Sequence, residues 1–183
     1  MIEKLKPAIK QGLIMGLIAA ILVLLVWAFA PDMFGSFSWM ITQSVVFMLA
    51  LPIVFIILGT RNTKEQFETF NYGQAFKAAF TVGLAAVLFG LVFNILFYTV
   101  IDPEFDTRVK EMVMESTLER LENANMSDEM IDEQMEKMEE RFAKNEGVSG
   151  KAKGSLWMLL WYTILAAIIA IVYKDKKEAQ ATS

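Results

Sequence analysis

Few side chains in this sequence can do chemistry, and their types narrow the choice sharply. There is no His and no Cys, which removes Ser-His-Asp and Cys-His arrangements and the usual zinc sites. No Walker-type loop or G-x-G-x-x-G run occurs either. What remains is an acid at a chain break (Asp102, followed by Pro103), two amides inside apolar runs (Gln43 and Asn94), and a group of thioethers. Met112, Met114, Met126, Met130, Met135 and Met138 are six of the twelve methionines. Thioethers can bind Cu(I), and Met135-x-x-Met138 has a suitable spacing. Without His or Cys to complete a site, adaptable packing in a helix seam or docking face is the better reading. Segment 102–154 holds 15 acids against 8 bases, enough to draw divalent cations, but EF-hand spacing is absent. We expect no enzyme, no cofactor and no metal.

The elements that must hold these residues are apolar. Hydrophobic residues make up 55% of the 183-residue chain, and charge is nearly missing from four stretches: about 11–30, 39–59, 78–101 and 155–173. Each is close to the ~20 residues a helix needs to cross a ~30 Å hydrocarbon layer. Backbone groups in lipid must bond within their own segment, so these are helices. The expected fold is an all-α polytopic membrane protein: three spans within 1–101, an extracytoplasmic acidic helical hairpin over 102–154, and a fourth span with a basic tail over 155–183.

Lys4, Lys6 and Lys10 before the first run, with Ala28-Phe29-Ala30 after it, resemble a signal peptide. The run is long enough to span, and Pro31 would obstruct cleavage, so a retained helix is expected. Connector 31–38 has no Lys or Arg, whereas Arg61, Lys64 and Lys77 lie between spans two and three and Lys174, Lys176 and Lys177 follow span four. The positive-inside rule then puts both termini in the cytoplasm and 102–154 outside. Trp27, Phe34, Trp39, Tyr98 and Trp157 are expected to form an interfacial belt at the outer ends.

Asp102-Pro103 reads as the point where span three leaves the membrane, with a solvated carboxylate and no partner group identifiable in reach. Beyond it, Met114, Leu118 and Leu121 form one helical stripe, and Ile131, Met135, Met138 and Phe142 form a second. Asn125 or Ser127 can cap the second helix. Glu104/Arg108, Glu133/Lys137 and Glu140/Lys144 are spaced as i, i+4 pairs. Each stripe is narrow and needs a neighbour, so the two should seal each other or receive a partner. Gly147-Val148-Ser149-Gly150 reads as a flexible return to span four.

Within the spans no Asp, Glu, Lys or Arg occurs, which weakens a pump or coupled transporter. Gln43 and Asn94 are expected to bond neighbouring helices, each worth about 0.6–2 kcal/mol. Gly12-x-x-x-Gly16, Ala79-x-x-x-Gly83 and Ala86-x-x-x-Gly90 offer faces for close helix packing. Pro52 should kink span two.

GLIMGLIAAILVLL near the start, FNYGQAFKAAFTVGL entering span three and YTVIDPEF at its exit complete the pattern, with Gly73, Gln74, Phe76, Lys77, Asp102 and Pro103 the most telling positions. In these the chain resembles the bacterial domain-of-unknown-function family numbered 4199. The resemblance implies a four-span protein of a bacterial inner membrane and carries over no catalytic residues. The function expected is a noncatalytic accessory or scaffold subunit. Its partners would be the lipid bilayer and a protein or second copy of itself, with no nucleic acid. A small channel or carrier and a Cu(I)-handling protein are the alternatives.

Overall fold

Every fourth residue along the first apolar run is a large aliphatic side chain, and Leu13, Leu17, Ile21 and Leu25 are all exposed. The opposite stripe of small residues, Ala8, Gly12, Gly16 and Ala20, is buried together with Met15. This is the pattern of a helix that turns bulk to lipid and lets small residues bring backbones together. The computed structural model describes residues 2–145 and 147–175. It is all-helical among those residues, and four helices are long and apolar enough to cross a membrane: Ile2–Phe29, Phe37–Lys64, Tyr72–Ile101 and Ala152–Tyr173.

The helices are α1 (Lys6–Phe29), α2 (Phe37–Gln43), α3 (Leu51–Lys64), α4 (Tyr72–Leu96), α5 (Phe105–Asn123), α6 (Asp128–Asn145) and α7 (Gly147–Tyr173). They reach beyond the apolar runs for local reasons. Pro7 sits in the first turn of α1, where its fixed φ suits a helix start. Asn71 and Gln74 form a reciprocal capping box that begins α4 at Tyr72 instead of near 78. Residues 147–150, expected as a flexible return, are the first turn of α7. The glycines cost helix stability, but the ladder continues unbroken into the apolar run.

α4 is the central element and packs on α1, α3 and α7. A Cβ on Gly12 would stand 2.3 Å from the Val82 carbonyl oxygen, one on Gly16 2.7 Å from the Phe89 ring, and one on Gly83 2.8 Å from Tyr162 Cβ. Those three glycines therefore set the approach of α1 and α7 to α4. Gly90 does not: a Cβ there meets nothing within 4 Å, so the close packing expected at that position is absent. The buried core of Ala8, Ile56, Ala79, Val82, Leu165, Ala166 and Ile169 lies toward the end where both termini gather. There Lys64 bonds Asp175 at 2.7 Å, and Asp175 and Phe70 exchange backbone and carboxylate hydrogen bonds.

Two spans change pitch. Span two contains a π-helical segment, Ser44–Ala50, immediately before Leu51 and Pro52. Pro52 has no N–H to offer the Met48 carbonyl four residues back, and that carbonyl accepts a 2.7 Å hydrogen bond from Trp161 Nε1 of α7. Span three ends in a second π-helical segment, Phe97–Ile101, closed by Asp102 N–H to Phe97 O at 2.8 Å.

Candidate functional site

At the end of the bundle away from the termini, the chain break at Asp102 is buried. Its side chain is 10% exposed. Trp27 Nε1 of α1 donates to Asp102 Oδ2 at 2.8 Å, and the Arg108 guanidinium of α5 donates to the same oxygen. The sequence reading of a solvated carboxylate without a partner is therefore corrected. So is the expected Glu104/Arg108 pair, because Arg108 turns back to the acid removed from water, where a charge is most needed. Burial alone would raise the carboxyl pKa. Hydrogen bonds from Trp27 and Arg108, the Arg108 charge and the Glu104 backbone N–H outweigh it and hold Asp102 below the ordinary carboxylate value. Pro103 is exposed in the turn that follows.

An aromatic cluster surrounds this acid. Phe105, the first residue of α5, is buried edge-on against Phe34 and Phe97 at centroid distances of 4.8 and 5.2 Å. Phe97 in turn meets Trp27 at 5.9 Å, and Phe34 meets Trp39 at 5.1 Å. Trp27, Phe34, Trp39 and Tyr98 are thus turned inward and at least half-buried, and of the five aromatics expected in a lipid-facing belt Trp157 alone is freely exposed, at 75%.

α5 is fastened to the connector between spans one and two. Gly35 lies so close that a Cβ would stand 2.6 Å from Met112 Cβ, and Ser116 Oγ donates to Gly35 O at 2.7 Å. One turn on, the Arg120 guanidinium lies 4.4 Å over the Phe37 ring. Asn125, in the left-handed region at φ 54°, ends α5, with Met126 N–H reaching Leu121 O. Ser127 precedes α6, and its carbonyl accepts from Met130 and Ile131. Lys110 Nζ and Glu139 Oε1 are 3.4 Å apart, which sets α5 and α6 side by side. Ile131 is buried, and Met114, Leu118, Leu121, Met135, Met138 and Phe142 are half-buried. None of the seven stripe residues is left as an open apolar face.

Below the aromatic cluster, between all four spans, is a cavity of about 670 Å³. Its floor is Met15, Ala86 and Tyr162, the top of the packed core. Its middle is apolar, with Ala19, Phe47, Leu51, Val87 and Met158. Polar groups come in toward the α5 end: Gln43 from span two, Asn94 from span three, Ser155 from span four and Asp106 from α5. Gly90 and Gly154 line it, and a Cβ on either would meet nothing within 4 Å. The helix-to-helix hydrogen bonds expected of Gln43 and Asn94 are not made among the described residues; both amides line the cavity instead. No group of three or more His, Cys, Asp or Glu among the described residues could hold a metal ion.

Gln43, Asn94, Gly16 and Gly90 were visible in the sequence as separate features, and the fold brings them to one cavity. Trp27 and Arg108 as partners of Asp102, and Tyr162, Ser155 and Gly154 as lining, were not visible. Gly150-x-x-x-Gly154 was the one available signal, masked by its likeness to a linker.

No curated protein and no solved structure matches the chain. Residues 10–175 match the family described as "Protein of unknown function (DUF4199)". That match takes in most of the first apolar helix, all of the other three, the cavity and the Asp102 cluster, and the chain is a membrane-helix protein that belongs to the DUF4199 family.

Proposed function

We propose that the chain is a noncatalytic accessory or scaffold subunit of a bacterial cytoplasmic membrane. Both termini would be inside, and the acidic face of α5 and α6 would be offered to a protein partner or a second copy of the chain. The observation that carries this reading is the fastening of α5 to the spans at Asp102, Gly35 and Phe37. A mount already set in place lowers the ordering cost of docking. With the apolar stripes turned inward, the surface left for a partner is rich in carboxylates, Asp132, Glu133, Glu136 and Glu140 among them. Such a surface steers a basic partner. The basic inner connectors support the orientation.

Purification in mild detergent tests the reading. Asp132→Lys with Glu136→Lys should release a co-purifying protein, or dissociate the homo-oligomer, while insertion is unchanged. A wild-type chain that purifies alone as a monomer would sink the proposal, as would a charge-reversed chain that keeps every partner.

A small carrier is the second reading, and the cavity between the four spans favours it. Its closed floor at Met15, Ala86 and Tyr162 weighs against passage through the bundle in this conformation. Solute flux into proteoliposomes holding this chain alone would put that reading first.

A further inference from the structure

The cavity has a shape and a polarity that call for a particular kind of occupant. At about 670 Å³ it falls within the ~300–1,000 Å³ typical of small-molecule sites. Polarity runs along its length: the wall from Met15 to Met158 is apolar, and amides and a hydroxyl stand near the α5 end. Because α5 and the aromatic cluster mark where span three ends, that polar rim lies at the level of lipid headgroups and the apolar part at the level of chains.

One further observation points to a ligand and not to a packing fault. Asn94 of span three is half-buried and lines the cavity with an amide that finds no hydrogen-bond partner among the described residues. Polar groups inside a span usually find a partner. Gln43 of span two, an exposed residue, adds a second amide to the same lining. Entry from the side is built in, since α2 packs against its own span and Pro31–Gly35 and makes little contact with α7. Span two meets α7 further down, at α3 and at Trp161–Met48.

The geometry points to a binding site for a single-chain membrane amphiphile with an uncharged hydrogen-bonding head, the chain lying between Met15 and Met158 and the head at Gln43 and Asn94. Two amides offer donors and acceptors but no charge. Among the described residues no Lys or Arg lines the cavity to pair with an anionic head, so a charged carboxylate would lose its water there without compensation. A lipid with a hydroxyl, ester or amide head fits; a fatty acid of the same length fits poorly. This site is independent of any partner on α5 and α6.

The test uses the full chain purified in detergent, titrated with tritiated monopalmitoylglycerol and, as the anionic counterpart, tritiated palmitate. Saturable one-to-one binding of the monoglyceride is expected, with palmitate weaker. Gly90→Phe fills the cavity from a position with no neighbour in reach and should abolish that binding at an unchanged melting temperature. Gly154→Leu serves the same purpose if the first variant does not fold. Leu88→Phe, on the exposed face of α4, should bind as wild type, and Asn94→Leu should weaken the monoglyceride while leaving palmitate unchanged. Non-saturable uptake, binding that survives both filled cavities, palmitate bound as well as the monoglyceride, or a second copy of the chain closing the cavity against the probe would each overturn the assignment.

Discussion

Trp27 Nε1 donates a 2.8 Å hydrogen bond to Asp102 Oδ2 across 75 positions of sequence. It joins the far end of span one to the exit of span three, and Arg108 completes it from α5. Three elements thus meet at a single carboxylate. Removing it should cost more than the average surface change. Asp102→Leu should destabilise by about 1–3 kcal/mol, the range for stranding buried hydrogen-bond partners. Arg108→Gln should cost less, because Arg108 is 48% exposed and water can replace part of what it gives. Thermal unfolding in detergent measures both, and equal losses would show that the acid is not the focus.

Acid provides a second reading of the same group. The folded-state pKa of Asp102 is lowered, below an unfolded value of about 3.9. Between the two values the unfolded chain binds the extra proton. Its contribution is therefore complete above the unfolded value and lost as pH falls through the folded one. The melting temperature should decline at acid pH more steeply in wild type than in Asp102→Asn. Parallel profiles would remove Asp102 from the account.

Pro52, Met48 and Trp161 allow a double-mutant cycle. Trp161→Phe removes the donor that serves the Met48 carbonyl and should cost about 0.5–1.5 kcal/mol. Pro52→Ala restores an N–H four residues on. In that background Trp161→Phe should cost measurably less, and an unchanged cost would mean the indole bond and the proline are unrelated.

The spans were legible because charge-free runs of membrane length leave few alternatives. Gly12, Gly16 and Gly83 were legible as approach points from small-residue spacing alone. Asp102 was misread for a physical reason: Asp-Pro at the end of an apolar run has the same local signature whether it meets water or a distant indole. Gly90 and Gly154 show a parallel limit. Spacing marks where a backbone can come close, but not whether a neighbour fills the place or a cavity opens there. Pro52 announced a break in span two, but not that the turns before it would be π-helical over Ser44–Ala50.

The two kinds of glycine should separate cleanly. Gly12→Ala drives a methyl toward the Val82 carbonyl oxygen and should cost about 1–3 kcal/mol, as overpacking does. Gly90→Ala meets nothing and should be neutral or slightly stabilising. Similar losses at both positions would mean that the cavity is closed in the folded protein.

Replacing Phe105–Ser149 with a short Gly/Ser linker asks whether α5 and α6 are an appendage or part of the bundle. Four spans should still insert, since insertion depends on the apolar runs. The remaining protein should nevertheless be less stable. Phe105 leaves the space between Phe34 and Phe97, Arg108 leaves Asp102, and Met112 and Ser116 leave Gly35. A simple spacer would show none of this. Single Cys probes in the cysteine-free chain report the topology at the same time. With Phe105–Ser149 outside, Ser36→Cys and Glu129→Cys should react with an impermeant thiol reagent, and Asn62→Cys should not, in cells stripped of any outer membrane. In the linker variant Ser36→Cys should react faster, because the α5 helix that covers Gly35 is gone. An unchanged melting temperature together with an unchanged Ser36→Cys rate would make α5 an appendage. Labelling of Asn62→Cys would invert the orientation and place the acidic helices inside the cell.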